Sequence, residues 1–113
     1  MTSKESEQRR VPRISVNLPA VVTWKKKHHK WRASELSEFG VLVTAVRKDQ
    51  EMVGEDVALE LALDPQDAPL PLEGVVAYAS DKGIGVRFKN LSGEQHARLR
   101  HYVEAHGIGI ARP

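Results

Sequence analysis

The most restrictive feature of this chain is an alternation of apolar and polar residues along several short segments. From Ile14 to Trp24 every second residue is apolar, and the residues between them are mostly polar. A period of two predicts a β-strand with one buried face. Pro19 lacks an amide hydrogen, so we expect this strand to be bent or at an edge there. After a charged hairpin tip at 26–29, five more strands are predicted near 31–37, 41–45, 57–63, 70–79 and 83–88.

Six short strands separated by turn residues predict an antiparallel β-barrel or sandwich. A different period follows the last strand. Ser92 and Gln95 form a capping-box pattern that predicts the start of a helix, and Gly107 is expected to end it. One face of this helix should pack on an open mouth or side of the barrel, through Leu99, Tyr102, Val103 and His106.

The length of 113 residues predicts one domain. We place a flexible arm at 1–7, the barrel with its helix at 8–106 and a tail at 107–113. The absence of cysteine excludes disulfide scaffolds and thiolate chemistry. No apolar run approaches the roughly 20 residues of a membrane helix, and the first residues lack the apolar segment of a signal peptide. We therefore expect a soluble, cytoplasmic protein without membrane insertion.

The sequence contains none of the common catalytic motifs, such as Gly-x-Ser-x-Gly, His-Glu-x-x-His or a P-loop. His28 and His29 are adjacent, so on a strand they point to opposite faces, and the lysines around them repel cations. We therefore expect neither an enzyme nor a metal site, and no bound cofactor.

Charge is strongly segregated along the chain. Residues 1–34 hold nine basic and two acidic residues, a net charge of +7, whereas residues 49–73 hold eight acidic residues and no basic one. One region should attract anions while another repels them. This pattern favours a localised anion site over a surface that grips nucleic acid along its whole length. The alternative is that both blocks are ordinary solvated surface.

The basic block includes three arginines within five residues, Arg9, Arg10 and Arg13. Their mutual repulsion does not favour folding. A guanidinium group, however, binds phosphate oxygens through two parallel hydrogen bonds and stacks on nucleobases. Pro12 restricts the residue before it to an extended conformation, which spreads the arginines along a ligand.

A second cluster, Glu35-x-Ser37-x-x-Gly40, lies at the junction of two predicted strands. The Glu35 carboxylate can accept hydrogen bonds from a guanine edge, and the Ser37 hydroxyl can bond a base or a phosphate. Gly40 can supply the positive φ that a tight turn requires. The alternative is an ordinary polar turn.

Together, and in this order on this strand pattern, the two clusters resemble the PilZ domain family. That family carries R-x-x-x-R in an N-terminal loop and [D/N]-x-S-x-x-G on its barrel. Arg9 and Arg13 match the first motif, and Ser37 and Gly40 match the second. The stretch 83–88 is similar to the family's last strand, so the resemblance covers about residues 8–106. Glu35 departs from the Asp or Asn of the family, and its extra methylene moves the carboxylate by up to about 1.5 Å.

The resemblance implies a six-stranded antiparallel barrel of split-barrel type, with a C-terminal helix, that binds the bacterial second messenger cyclic di-GMP. It also implies that the ligand orders the N-terminal arm and thereby creates a surface for a protein partner. The expected ligand-binding residues are Arg9, Arg10, Arg13, Glu35, Ser37 and Gly40. Tyr78 and Arg87 are candidates for secondary contacts, with a half-buried core role and a solvated surface role as their respective alternatives.

Two other functions stay open at this point. The first is a PilZ-type protein-interaction module, related to motility or pilus formation, that does not bind the nucleotide; the departure at Glu35 favours it. The second is a small-barrel nucleic-acid binder, suggested by the basic arm and the lysine-rich hairpin. Single-strand binders need exposed aromatic platforms, and this chain has only six Trp, Tyr and Phe residues in total.

Overall fold

A computed structural model of the chain describes residues 13–44 and 50–111, with side chains described as far as residue 106. Six strands pair antiparallel and close into one barrel in the order β1-β2-β3-β6-β5-β4. The predicted all-β architecture with a C-terminal helix is therefore confirmed. The elements are β1 (Ile14–Trp24), β2 (Lys27–Leu36), β3 (Gly40–Thr44), a 3₁₀ turn (Gln50–Met52), β4 (Asp56–Leu61), β5 (Leu70–Ser80), β6 (Gly83–Lys89) and α1 (Gly93–Ala111).

The hairpin between β1 and β2 is tighter than expected. Its loop consists of Lys25 and Lys26 alone, both with positive φ, and β2 already begins at Lys27. Two consecutive residues with positive φ match the twist of antiparallel strands, so the chain can reverse within two residues. The predicted tip at 26–29 was therefore placed too far along the chain.

Pro19 lies within a closed barrel, so it is not at a sheet edge. The Pro19 carbonyl accepts a hydrogen bond from Ala62 N, just beyond the end of β4. The backbone nitrogen and carbonyl of a strand residue face the same neighbouring strand. The nitrogen of Pro19, which has no hydrogen, therefore faces β4 at the point where the β1–β4 ladder stops. A register shift between Ser15 and Leu18 bends β1 just before this point.

The barrel interior holds one apolar core. In β4 the alternate residues Val57, Leu59 and Leu61 are buried, as the period of two predicts. In β3 the alternation breaks down, because Leu42 is buried on the outer face while its two neighbours point inward. The largest fully buried side chains are Ile14, Leu36, Met52, Leu59, Leu61, Ile84 and Leu99.

Helix α1 covers the end of the barrel where β1 and β3 begin. The capping box is present as predicted, since Ser92 N donates to Gln95 Oε1 at 2.8 Å and Gln95 N donates to Ser92 Oγ at 3.0 Å. Gln95 Nε2 also donates to the Pro71 carbonyl at 2.7 Å. Leu99 and Val103 are fully buried in the core, so the helix acts as a lid on this end.

The C-terminal part of α1 differs from expectation in two ways. The helix continues through Gly107 to Ala111, so the predicted end at Gly107 was wrong. A helical glycine costs only about 1 kcal/mol relative to alanine and does not by itself end a helix. His106 is exposed, with its ring stacked on that of Tyr102 at 4.0 Å between centroids. Burial, and secondarily the Asp64 carboxylate, raise the pKa of Tyr102.

Within the described ranges, no helix is long and apolar enough to cross a lipid bilayer.

Candidate functional site

A cavity of about 620 Å³ lies on the outer face of β2, β3, β6 and β5. Strand register explains how distant residues meet there. Glu35 pairs with Leu42, Leu42 pairs with Gly85, and Gly85 pairs with Tyr78, so the four residues form one row across four strands. The predicted residues that line this cavity are Arg13, Glu35, Ser37, Gly40, Tyr78 and Arg87.

The turn between β2 and β3 forms one wall of the cavity, and Ser37 holds it together. The buried Ser37 hydroxyl accepts hydrogen bonds from Phe39 N and Gly40 N, both at 3.1 Å. Ser37 N donates to the Gly40 carbonyl at 2.9 Å. The hydroxyl is therefore engaged in shaping the turn, a role that the sequence analysis did not assign to it.

Gly40 does not have the positive φ that was expected, since among the described glycines only Gly54 and Gly83 do. Glycine is required at position 40 for a steric reason. A Cβ at position 40 would lie 2.7 Å from the Val86 carbonyl oxygen on the neighbouring strand β6. Glycine is needed because β3 and β6 approach closely where the turn enters the barrel.

Tyr78 lies outside the core, on the floor of the cavity, with 48% of its surface exposed. Its ring covers Gly85, because a Cβ at position 85 would overlap the ring atoms. A register shift between Val76 and Tyr78 interrupts the pairing of β5 with β6 at this point. Tyr78 is therefore half-buried but not part of the core, and its contact with a ligand stays a prediction.

The charges that face the cavity are not neutralised by neighbours. Among the described residues, the side chains of Arg13, Glu35 and Arg87 form no hydrogen bond or ion pair. The next outward residue of β6, Lys89, is by contrast paired with Asp56 at 2.7 Å. Free guanidinium and carboxylate groups around one cavity are suited to a ligand that has both anionic groups and hydrogen-bond donors.

The acidic block lies away from this site. It falls mainly on β4 and its flanking loops, and β4 is opposite β3 in the closed barrel. Glu60, for example, is exposed on the outer face of β4. Among the described residues, no member of the acidic block lines the cavity, although Asp56 reaches Lys89 on β6.

Arg9 and Arg10, like the predicted arm at 1–7, lie outside the described residues. Arg13 nevertheless shows where the arm meets the barrel, because it lines the cavity directly before β1.

Among the apolar residues that line the cavity, Phe39 and Leu42 were not predicted as site residues. Phe39 is 49% exposed on the β2–β3 turn, and Leu42 lies on the outer face of β3. The signal at Leu42 was available, since an apolar residue at an outward position breaks the alternation of its strand. No comparable signal marked Phe39, because a turn has no fixed period.

Comparisons with known proteins agree with this architecture. A family model described as the PilZ domain matches residues 7–105. Among solved structures, the inhibitor of motility MotI (DgrA) of Bacillus subtilis is similar with a TM-score of 0.75 at 14% identity, over 90% of this chain and 52% of that one. The PilZ domain of YcgR from Escherichia coli, solved with c-di-GMP, gives 0.70 at 17% identity, over 93% and 95%.

This chain therefore spans about half the length of MotI. No significant match was found among curated protein sequences.

Proposed function

Because the chain belongs to the PilZ domain family, we propose that it is a receptor for cyclic di-GMP and binds the nucleotide in the cavity on β2, β3, β6 and β5. The carrying observation is that Arg13, Glu35 and Arg87, all unpaired among the described residues, surround one cavity. The similar PilZ domain of YcgR was solved with this nucleotide.

Each group at the cavity has a chemical role in this proposal. The ligand carries two phosphates and two guanines, so Arg13 and Arg87 bind phosphate oxygens or stack on bases. Glu35 accepts hydrogen bonds from a guanine edge, and Tyr78 and Phe39 offer exposed rings for stacking. Arg9 and Arg10 of the N-terminal arginine loop add further cations in this proposal.

The available interactions are large enough for micromolar binding. A dissociation constant of 1 μM corresponds to about −8 kcal/mol. Charge-assisted hydrogen bonds contribute roughly 1.5–3 kcal/mol each, and ordering the arm and its side chains opposes them. Three or four such bonds together with base stacking are sufficient.

The proposed output is a change in surface. The ligand fixes the arm against the barrel, and the ordered arm forms a surface for a downstream protein. We propose a cytoplasmic adaptor without catalytic activity or a further cofactor, and the similarity to an inhibitor of motility favours a partner in that process.

Isothermal titration calorimetry tests the proposal. We expect saturable heat with cyclic di-GMP and a loss of about tenfold or more in affinity for Arg13→Ala. Arg100→Ala is the matched control, since Arg100 lies on the exposed face of α1 and pairs only with Glu104 among described residues. No heat with native protein, or equal affinities for both variants, contradicts the proposal.

A second candidate is an interaction module that does not bind nucleotide. It is favoured by Glu35, whose longer side chain misplaces the acceptor relative to the family motif, at a cost of roughly 1–3 kcal/mol. The half-exposed Phe39 and Tyr78 rings would then serve a protein partner. Titration of Glu35→Asp separates the two: heat that appears only in this variant supports the interaction module. Heat with a single-stranded oligonucleotide but not with the dinucleotide would point to a nucleic-acid binder.

A further inference from the structure

The two acidic residues of the β2–β3 junction have different surroundings. Glu35 faces the cavity, whereas Glu38 does not line it and has only 18% of its side chain exposed. Glu38 Oε1 lies 2.8 Å from His96 Nε2, on the first turn of α1. An ionised carboxylate can only accept, so the imidazole Nε2–H donates. This contact links the cavity turn to a helix 58 residues further along the chain.

Phe39 connects this link to the cavity. Its ring lines the cavity and also contacts the ring of His96, with 5.6 Å between centroids. Its backbone is held independently, because its carbonyl accepts from Phe88 N at 2.8 Å and its amide donates to Ser37. The backbone of Phe39 is thus fixed by the barrel, while its side chain rests against the helix.

His96 is itself in a fixed position. Its amide donates to the Ser92 carbonyl at 2.9 Å, and the adjacent Gln95 is bonded to the start of β5. One turn later Leu99 is fully buried in the core. The imidazole is therefore presented from a helix turn that is anchored to the barrel at several points.

We propose that His96 is a positioning residue for the ligand cavity, and that it couples occupancy of the cavity to helix α1. This inference rests on the proposed function and extends it to a residue outside the cavity. His96 holds Glu38 through a hydrogen bond and sets the position of the Phe39 ring, against which the nucleotide binds. Because coupling is reciprocal, bound nucleotide stabilises the His96–Glu38 contact by the same factor.

Calorimetry with cyclic di-GMP on three variants distinguishes a positioning role of His96 from a merely structural role. His96→Leu removes the donor and keeps apolar bulk against Phe39, and we expect affinity to fall about fivefold, the lower end of typical coupling between sites. His96→Gln supplies an amide donor in place of Nε2–H, and we expect affinity within about twofold of native. His101→Gln is the matched control, since His101 is exposed on the same helix.

A spectroscopic measurement tests the reciprocal effect. The chain has five histidines, so the His96 ring resonances can be assigned by their loss in His96→Gln. We expect these resonances to shift on addition of cyclic di-GMP to native protein while those of His101 do not. In nucleotide-free His96→Leu, we expect the amides of the β2–β3 turn to exchange faster with solvent, which requires only that this variant folds.

The outcomes distinguish the two proposals. Native protein that does not bind cyclic di-GMP overturns the proposed function and this inference with it. Native protein that binds, together with unchanged affinity in His96→Leu or no shift of the His96 resonances, overturns this inference alone. Affinity that His96→Gln fails to restore also overturns it, because the lost donor would then not be the cause.

Discussion

Gly40→Ala is predicted to destabilise the protein, whereas the same substitution at Gly93 is not. At position 40 the new Cβ would lie 2.7 Å from the Val86 carbonyl oxygen, about 0.7 Å closer than the 3.4 Å at which ordinary contact begins. The obstructing atom belongs to the backbone of β6 and cannot rotate away. The start of the β3–β6 ladder must therefore open.

Overpacking of this kind costs about 1–3 kcal/mol. In a domain of this length each kcal/mol lowers the melting temperature by about 4 °C, so we expect a decrease of about 4–12 °C for Gly40→Ala. At Gly93 nothing lies within 4 Å of the new Cβ, and its φ is not in the left-handed region. There the loss of unfolded-state entropy predicts a gain of about 0.4–1 kcal/mol.

Urea unfolding followed by circular dichroism measures both effects, with the native chain as reference. Equal slopes against urea concentration for the three proteins would show that the comparison is one of stability. If Gly40→Ala proves as stable as Gly93→Ala, the argument from close approach of β3 and β6 is refuted.

Two further predictions concern Ser37, which lies at the cavity, and Tyr102, which lies away from it. Ser37→Ala should lower the free energy of unfolding by about 1–3 kcal/mol, since two turn amides lose their acceptor; hydrogen exchange of those amides should accelerate, and unchanged exchange would contradict the assigned role. The pKa of Tyr102 is raised by burial and by Asp64, so folding favours the neutral form of its side chain. This contribution to the free energy of unfolding is complete below pH 10, the ordinary pKa of tyrosine. It is lost as the pH rises through the pKa of the folded state. Absorbance at alkaline pH in Tyr78→Phe, which leaves Tyr102 as the only tyrosine, should give a midpoint above 10; a midpoint at or below 10 would refute it.

Local signals predicted much of the fold. Alternation located the strands, and the Ser92–Gln95 pair located the start of α1 with the hydrogen bonds of a capping box. Closure of the barrel could not be predicted from the residues alone. It depends on the pairing of β1 with β4, such as Ala20 with Leu61, and no local pattern specifies partners so far apart in sequence.

For the candidate site, too, the sequence predicted some features and not others. In the described part of the chain, the structure brings the predicted residues together around one cavity, and their role in ligand binding stays a prediction. The structural roles of two of these residues, Ser37 and Gly40, were not predicted. A sequence does not distinguish a glycine with positive φ from one at a close approach, as at Gly40, nor a hydroxyl that contacts a ligand from one that holds a turn, as at Ser37.

The outer face of the barrel departs from an ordinary solvated surface along one row. Leu42 is an apolar residue at an outward position, Gly85 leaves space in the middle of a strand, and Tyr78 fills that space with half of its surface still exposed. An exposed apolar ring such as that of Tyr78 is unusual on an ordinary solvated surface, where polar side chains are favoured. Glu35 lies at the end of the row, and its carboxylate has no partner among the described residues. A cavity floor with one carboxylate acceptor, bordered by the Arg13 and Arg87 guanidinium groups that are unpaired among the described residues, is the arrangement on which the proposed nucleotide site depends.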